Sequence, residues 1–443
     1  MKTIKFKAIQ IAAMLALFGG GIANAQTVRL TLKDALSYAV ENNSTARKAR
    51  LDIEGGRAKV QEVRAQALPQ ISGNGSLTYN PIVGQLVTDF GTFEMGRAWN
   101  SAVGVQLNQE LFNQQVFTGL RAARASEKYY DLNASLTEEQ VIEQVSNNYY
   151  QVLVNRRQLA VIDTNIKNAN RTQGIISAQF KAGLAKKIDL DRVVVNIANL
   201  NTQREQLANA IVLQENALKF SMGMPVAIQL DIPEIELGDI GSVTQMPDSV
   251  NTANRVEYQL LKTQENLLDL QRKAYQAEYY PSLSLNSNYS YTGQSSKFDL
   301  YRNGNAFWYD AAAVGVTLRI PVFNGFSTKA KIRQANVDLM KNREDIRNTS
   351  QSLNVAFENA KIQIRNSINT INSQRENVRL AQEIYNSTQN NYNNGLASLT
   401  DLLDAENALT SAQSNYSQAL LNYKVAEIQL IKSNGNIKSL LNR

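Results

Sequence analysis

The chain repeats itself at a distance of about 212 residues, and this duplication restricts its folding more than any other feature. Leu68-Pro69-Gln70-Ile71 is matched by Tyr280-Pro281-Ser282-Leu283, and Val103-Gly104-Val105-Gln106-Leu107 by Val314-Gly315-Val316-Thr317-Leu318. Phe112-Asn113 pairs with Phe323-Asn324, Gly183-Leu184 with Gly395-Leu396, Asp189-Leu190 with Asp401-Leu402, and Gly223 with Gly435. One match arises by chance; an ordered series does not. The period is too long for a solenoid, so a whole domain-sized unit has been duplicated.

Each unit, 26–223 and 251–443 with a linker at 224–250 between them, carries the same parts in the same order. A helix opens it, near 31–67 and again near 248–279. Alternating residues follow the proline: Ile71, Gly73, Gly75, Leu77 and Tyr79 against Ser72, Asn74, Ser76, Thr78 and Asn80. In the second unit Leu283, Leu285, Tyr289 and Tyr291 alternate with Ser282, Ser284, Asn286 and Asn288. These strands, near 70–80 and 282–291, are followed by second strands expected near 98–111 and 307–320. There Val103, Val105 and Leu107, and Val314, Val316 and Leu318, share a face. About ten residues of alternation fit a strand that crosses a membrane, and equally a soluble hairpin with one buried face. Trp99, Tyr301, Phe307, Trp308 and Tyr309 gather near the strand ends, where an aromatic girdle would lie.

Two proline-free tracts, 82–224 and 322–443, hold no residue that removes a backbone donor or clashes with the preceding turn. Each is expected to form an outgoing helix of roughly 65 residues, a Gly-Leu turn and a returning helix of about 35, the longer arm reaching roughly 100 Å. The returning helices carry a coiled-coil seam: Val193, Ile197, Leu200, Leu207, Ile211 and Leu218, then Leu402, Ala405, Leu409, Ala412, Tyr416, Ala419, Tyr423, Ala426 and Leu430.

Residues 1–25 read as an export signal: Lys2, Lys5 and Lys7, an apolar run from Ala8 to Phe18, and Ala23-Asn24-Ala25 before the cut. The run is too short for a membrane anchor. Losing those three lysines takes the net charge from +7 to +4. Acidic and basic residues are interspersed, so the patch of a nucleic-acid binder is missing. With no cysteine and no histidine, disulfides, thiol nucleophiles, Ser-His-Asp triads and the usual zinc sites are excluded. No catalytic residue, cofactor or metal is expected. No apolar stretch is long enough for a membrane helix, so any crossing would be made by strands, which the export signal and the Gly/Ser/Asn-rich turns favour.

Four strands cannot close a barrel, and an open sheet edge is not viable in lipid. Copies must therefore assemble around an axis, and three would supply twelve strands, within the known range. The duplicated plan, the proline before each first strand and the two hairpin tips resemble the TolC-type outer membrane efflux proteins. The tips read Phe180-Lys181-Ala182-Gly183-Leu184 leading to Ile188-Asp189-Leu190, and Tyr392-Asn393-Asn394-Gly395-Leu396 leading to Thr400-Asp401-Leu402-Leu403-Asp404-Ala405. The resemblance covers essentially all of the chain after the signal. It implies a mainly α, α+β membrane protein: a homotrimer with a twelve-stranded β-barrel, four strands per chain, continued by a periplasmic α-helical coiled-coil barrel. It further implies a passive exit duct set in outer-membrane lipid, fed with small molecules by a periplasmic adaptor (membrane fusion) protein and, indirectly, an inner-membrane pump. A protein-secretion duct of the same fold and a periplasmic coiled-coil scaffold outside the membrane are the alternatives; an enzyme is disfavoured.

Asp401 and Asp404 match the two aspartates that ring the family's tunnel entrance, and their spacing allows both to face one side of a helix. In a trimer each would form a ring of carboxylates that repel one another and favour cations. A plainer account also fits: Asp401 favours the helix dipole and Asp404 is a solvated acid. Asp189 and Tyr392 match residues that in the family link neighbouring coils and help hold the entrance shut, by a charge-assisted hydrogen bond; simple packing also accounts for Tyr392. The arginine of that latch is replaced here by Ala397. Gly183 and Gly395 allow the positive φ of a sharp reversal. Leu184 and Leu396 beside them are expected anchors for an adaptor hairpin.

Overall fold

A computed structural model describes residues 28–233, 249–298, 300–301 and 306–442. The export signal at 1–25 and the greater part of the 224–250 linker lie outside the described residues. Strand β1 (Val28–Arg29) precedes helices α1 (Leu32–Asn42) and α2 (Ser44–Ala65). Then come β2 (Gln70–Tyr79), β3 (Gln85–Thr88), β4 (Gly91–Glu94), β5 (Trp99–Phe112), α3 (Gln114–Lys181) and α4 (Lys187–Met222). After β6 (Leu230–Asp231) the plan recurs as α5 (Val256–Ala277), β7 (Ser282–Ser295), β8 (Phe307–Arg319), α6 (Ser327–Asn393) and α7 (Leu399–Ser433). Where one opening helix was expected over 31–67, there are two. Asn43 leaves the helical region at ψ 131, and its side-chain oxygen accepts from the Thr45 and Ala46 amides to start α2.

Contacts divide the chain into two compact units that cut across the repeats. One comprises the residues up to Ala49, Ala134–Val256 and Ser350 onward; the other comprises Arg50–Asn133 and Glu257–Thr349.

The second unit holds an antiparallel sheet in the order β2-β5-β7-β8. Its register sets Ile71 against Leu107, Val105 against Tyr289, Leu285 against Val316 and Leu283 against Leu318. Directly opposed residues share a face, so one face is mainly apolar, interrupted by Ser101, Gln109, Ser287 and Asp310. The other carries Ser72 against Gln106, Gln106 against Asn288, and Ser284 against Thr317. A soluble sheet would bury the apolar face, yet here Ile71 is 68% exposed and Val314 76%. The soluble-hairpin alternative therefore fails on burial. At the end of the sheet nearest the strand-connecting loops, Tyr79 and Trp99 lie 4.6 Å apart, Trp99 and Phe298 4.6 Å, and Tyr291 stacks on Trp308 at 4.9 Å. The small β3–β4 hairpin in the first loop was not anticipated from sequence.

The first unit is organised by a buried core that draws on α1, the middles of α3 and α6, and the C-terminal turns of α4 and α7. Leu230 and Ile232 from the described part of the linker, and Ile437 and Leu440 from the C-terminal segment, join it. β1 and β6 pair in parallel beside it. Tyr149 is fully buried there and donates to the Leu30 carbonyl at 3.2 Å; burial pushes its phenol up to about 12. Arg156 bridges Glu215 at 2.6 Å and the Leu230 carbonyl at 2.9 Å. Gly223 ends α4 at φ +74, and a Cβ there would meet the Asn42 carbonyl oxygen at 2.4 Å.

Gly223→Ala thus faces both a strained φ and a backbone clash, whereas Gly183→Ala, at φ +77 with open space around it, faces strain alone. Thermal unfolding of the purified protein should show a loss of about 3 kcal/mol for the first and about 1 kcal/mol for the second. Equal losses would show that the approach to Asn42 does not constrain the fold.

Candidate functional site at the hairpin tips

Both tips close with one backbone device. Gly183 (φ +77) and Gly395 (φ +73) take the left-handed region. Their amides donate to the Phe180 and Tyr392 carbonyls at 3.0 Å, while the Leu184 and Leu396 amides reach back to Gln179 and Asn391 at 2.8 Å. This doubly bonded ending satisfies the last helix carbonyls and turns the chain sharply. It also throws the following side chains outward: Leu184 is 81% exposed and Leu396 78%.

The returning helices start differently. Ahead of α7, Ser398 and Asp401 form a reciprocal cap: the Asp401 carboxylate accepts from the Ser398 amide at 2.9 Å and hydroxyl at 2.7 Å, and Ser398 Oγ accepts from the Asp401 amide at 3.2 Å. The Ser398 hydroxyl first, and its amide second, hold the Asp401 carboxyl below its ordinary value. Ahead of α4, Lys186 offers no side-chain cap, and Asp189 is the acid of the first turn.

Asp404, exposed on α7, lines an open groove of about 440 Å³ between α4 and α7, with Arg192, Asn196, Thr400 and Asn407 among its walls. Arg192 donates to Thr400 Oγ1 across it at 2.8 Å. The two aspartates therefore have different surroundings, Asp401 bent back onto its cap and Asp404 facing the groove. Tyr392 is half-buried, and its hydroxyl donates to Gln179 Oε1 at 3.3 Å. Burial first, and the charge of Asp189 second, push the Tyr392 phenol upward. Asp189 is thus near Tyr392, but Gln179 takes the hydrogen bond. The ring of Tyr392 packs against both apolar clusters at the tips, Ile176–Val193–Leu399 and Tyr385–Leu402–Ala405–Leu409.

Away from the tips the two hairpins meet through polar side chains, with the Lys432–Glu143 ion pair at 2.7 Å near the core. Gln158 donates to Ser414 at 2.9 Å, Asn165 to Thr410 at 2.9 Å, and Asn196 makes a long contact of 3.5 Å with Glu406. Sequence reasoning missed Gln179, Ser398, Thr400 and Glu406. The cap was readable from Ser398-x-x-Asp401. Glu406 had a signal too, an acid wedged between the seam positions Leu402, Ala405 and Leu409. Gln179 and Thr400 had none, because their partners come from the other repeat.

An exposed, mainly apolar sheet face, two sheet edges without a strand partner among the described residues, and two very long helical hairpins make up the chain. The sequence model of the outer membrane efflux protein family matches residues 35–224 and 254–436. The chain belongs to that family. It is an outer-membrane channel of a Gram-negative efflux system, and the family's members are channels. Among relatives, it is 23% identical over 418 residues to the probable outer membrane lipoprotein SilC of Salmonella typhimurium, covering 90% of this chain and 84% of that one. It is 21% identical over 420 residues to the outer membrane protein TolC of Escherichia coli K12, covering 90% and 80%. The solved structure of the outer membrane protein VceC from Vibrio cholerae superposes with a TM-score of 0.74 at 16% identity, covering 91% of this chain and 96% of that one.

Because Asp401 titrates lower when packed than when free, its cap stabilises the start of α7 above the ordinary aspartate value of 3.8 and loses that effect as pH falls through the lowered value. Protection of the 399–402 amides against hydrogen exchange, taken relative to the intrinsic rate at each pH, should therefore fall in acid. Asp401→Asn should show that lower protection already at pH 7, while Asp404→Asn leaves it unchanged. Equal protection in all three proteins would remove the cap as the cause.

Proposed function

We propose that three copies close their sheets into one twelve-stranded barrel in the outer membrane. The tips of the helical hairpins form the entrance to the duct, which receives small molecules from a periplasmic adaptor linked to an inner-membrane pump. The observation that carries this reading is the sheet: apolar residues such as Ile71 and Val314 on one face are exposed, and among the described residues the outer edges of β2 and β8 have no strand partner. In hydrocarbon the first feature is favourable and the second is prohibitive unless another copy pairs with each edge. Exposed Leu184 and Leu396 provide apolar knobs for the adaptor. Asp404 in its groove, with Asp401 at the head of the same helix, would put negative charge where three chains converge, and Asp189 and Tyr392 belong to the same tips.

Adjacent residues on β8 test the membrane placement. Val314 lies on the apolar face opposite Ser287, and Ala313 on the other face opposite Asn288. Val314→Lys should destabilise the inserted trimer by about 2–4 kcal/mol, whereas Ala313→Lys is tolerated. Trimer recovery in outer-membrane fractions and its melting in detergent read the difference; equal tolerance would place the apolar face outside lipid.

Single-channel recording tests the entrance. The expected pore has low conductance and prefers cations, and Asp401→Ala with Asp404→Ala opens it further while weakening that preference. Unchanged conductance and selectivity in the double variant would remove the pair from the gate.

A further inference from the structure

Glu406 stands apart from every other charged group near the tips. It lies on α7 a half-turn beyond Asp404, only 5% exposed, in the neutral polar seam between the hairpins. Its Oε1 is shielded from solvent and has no hydrogen-bond partner, and its Oε2 has only the long contact to Asn196 Nδ2. A buried ionised carboxylate needs a cation or several donors, and neither is supplied. From α6, the titratable group facing it is Tyr385, whose hydroxyl already accepts from Gln389 at 3.3 Å. From α4 it meets neutral Asn196, while Arg192 one turn earlier is engaged with Thr400. Arg171 on α3 acts on Tyr385 and is not among the influences on Glu406; Asp404 on its own helix is exposed.

We infer that Glu406 is a proton-operated latch of the entrance: neutral, it lets α7 pack against α4 and α6, and ionised, it drives α7 away from them to reach water. Burial alone pushes its carboxyl from 4.5 up to about 7 in the packed form. The separated form titrates at the ordinary value. Between the two, the packed form holds a proton that the separated form has lost, so raising the pH favours separation. The effect is absent below about pH 4.5, grows through the window and levels off above about 7, shifting the ratio of separated to packed by roughly three hundredfold. The latch rests on the reading of these tips as the duct's entrance, and it is a control distinct from the Asp401 and Asp404 charges.

Two measurements on the full-length trimer test it separately. In planar bilayers, the open probability of the natural channel should rise as the pH on the helical side goes from 5 to 8. Glu406→Gln should match it at pH 5 and stay at that level throughout. Since the chain has no cysteine, the pair Arg192→Cys and Thr400→Cys reports the α4–α7 separation by disulfide cross-linking. With Glu406 present, the yield should fall severalfold at pH 8 relative to the same pair carrying Glu406→Gln, a comparison that cancels the thiols' own titration. Should Glu406→Gln not assemble, Glu406→Leu serves the same comparison. Cross-linking that is indifferent to residue 406 overturns the latch. A cross-linking response without a change in conductance keeps the latch and overturns the placement of the entrance at these tips.

Discussion

Backbone amides and carbonyls cannot be left unpaired in hydrocarbon, and the rest of this structure answers to that constraint. The sheet meets it internally between β2 and β8 but fails at both edges, with an apolar face that a soluble protein would have buried. Neither feature is a defect if each edge meets another copy. The polar face then lines the interior, where Asn286 already bonds Thr317 across strands at 2.9 Å. No helix among the described residues is long and apolar enough to cross the bilayer. The long helices are free instead to be polar, amphipathic and hairpin-shaped.

That freedom shows in how the hairpins are joined. Within each returning helix the apolar seam is buried at Val193, Leu200, Ile211 and Leu218, and at Leu402, Leu409, Tyr423 and Leu430. Between hairpins, toward the tips, Gln158–Ser414 and Asn165–Thr410 are amide-to-hydroxyl contacts, each contributing about 1 kcal/mol net because water replaces them on separation, while Lys432 and Glu143 pair nearer the core at 2.7 Å. A joint of that kind aligns helices without locking them. The firm anchoring lies instead in the core around Tyr149, where apolar burial and the Arg156–Glu215 bridge hold the helix middles. An unpartnered carboxylate in the weaker joint has leverage that it would lack in the stronger one.

The fold was largely legible because its signals are periodic and doubled. Alternation marked the four long strands, the absence of proline marked the long helices, and two Gly-Leu pairs marked the turns. What escaped was local or mutual. The break at Asn43 turns on one side chain that caps α2 and donates to Ser221 at 2.8 Å, a partner 178 residues away. The β3–β4 hairpin sits in a loop that has no counterpart at a fixed offset. At the tips, sequence named Asp189, Tyr392 and Asp401 but not their bonds: the Tyr392 hydroxyl donates to Gln179 rather than Asp189, and Asp401 turns inward to its own cap. Single-residue partnerships across repeats leave no periodic trace.

The differences between the repeats are concentrated where the fold is least constrained. Equivalent positions give Lys186 and Ser398 at the helix start, Arg192 and Asp404 a turn and a half along, and Val194 and Glu406 beyond them. Each substitution changes capping or charge, and none alters the seam that builds the wall. The consequence is mechanical. The start of α7 is fixed by its reciprocal cap, so displacement of its carboxylates requires the helix to move as a body rather than to fray. Val194 is partly exposed on the facing hairpin and carries no charge to answer Glu406. A duplicated scaffold thus holds an unduplicated set of charges: symmetry maintains the duct, and the asymmetry is what is free to control it.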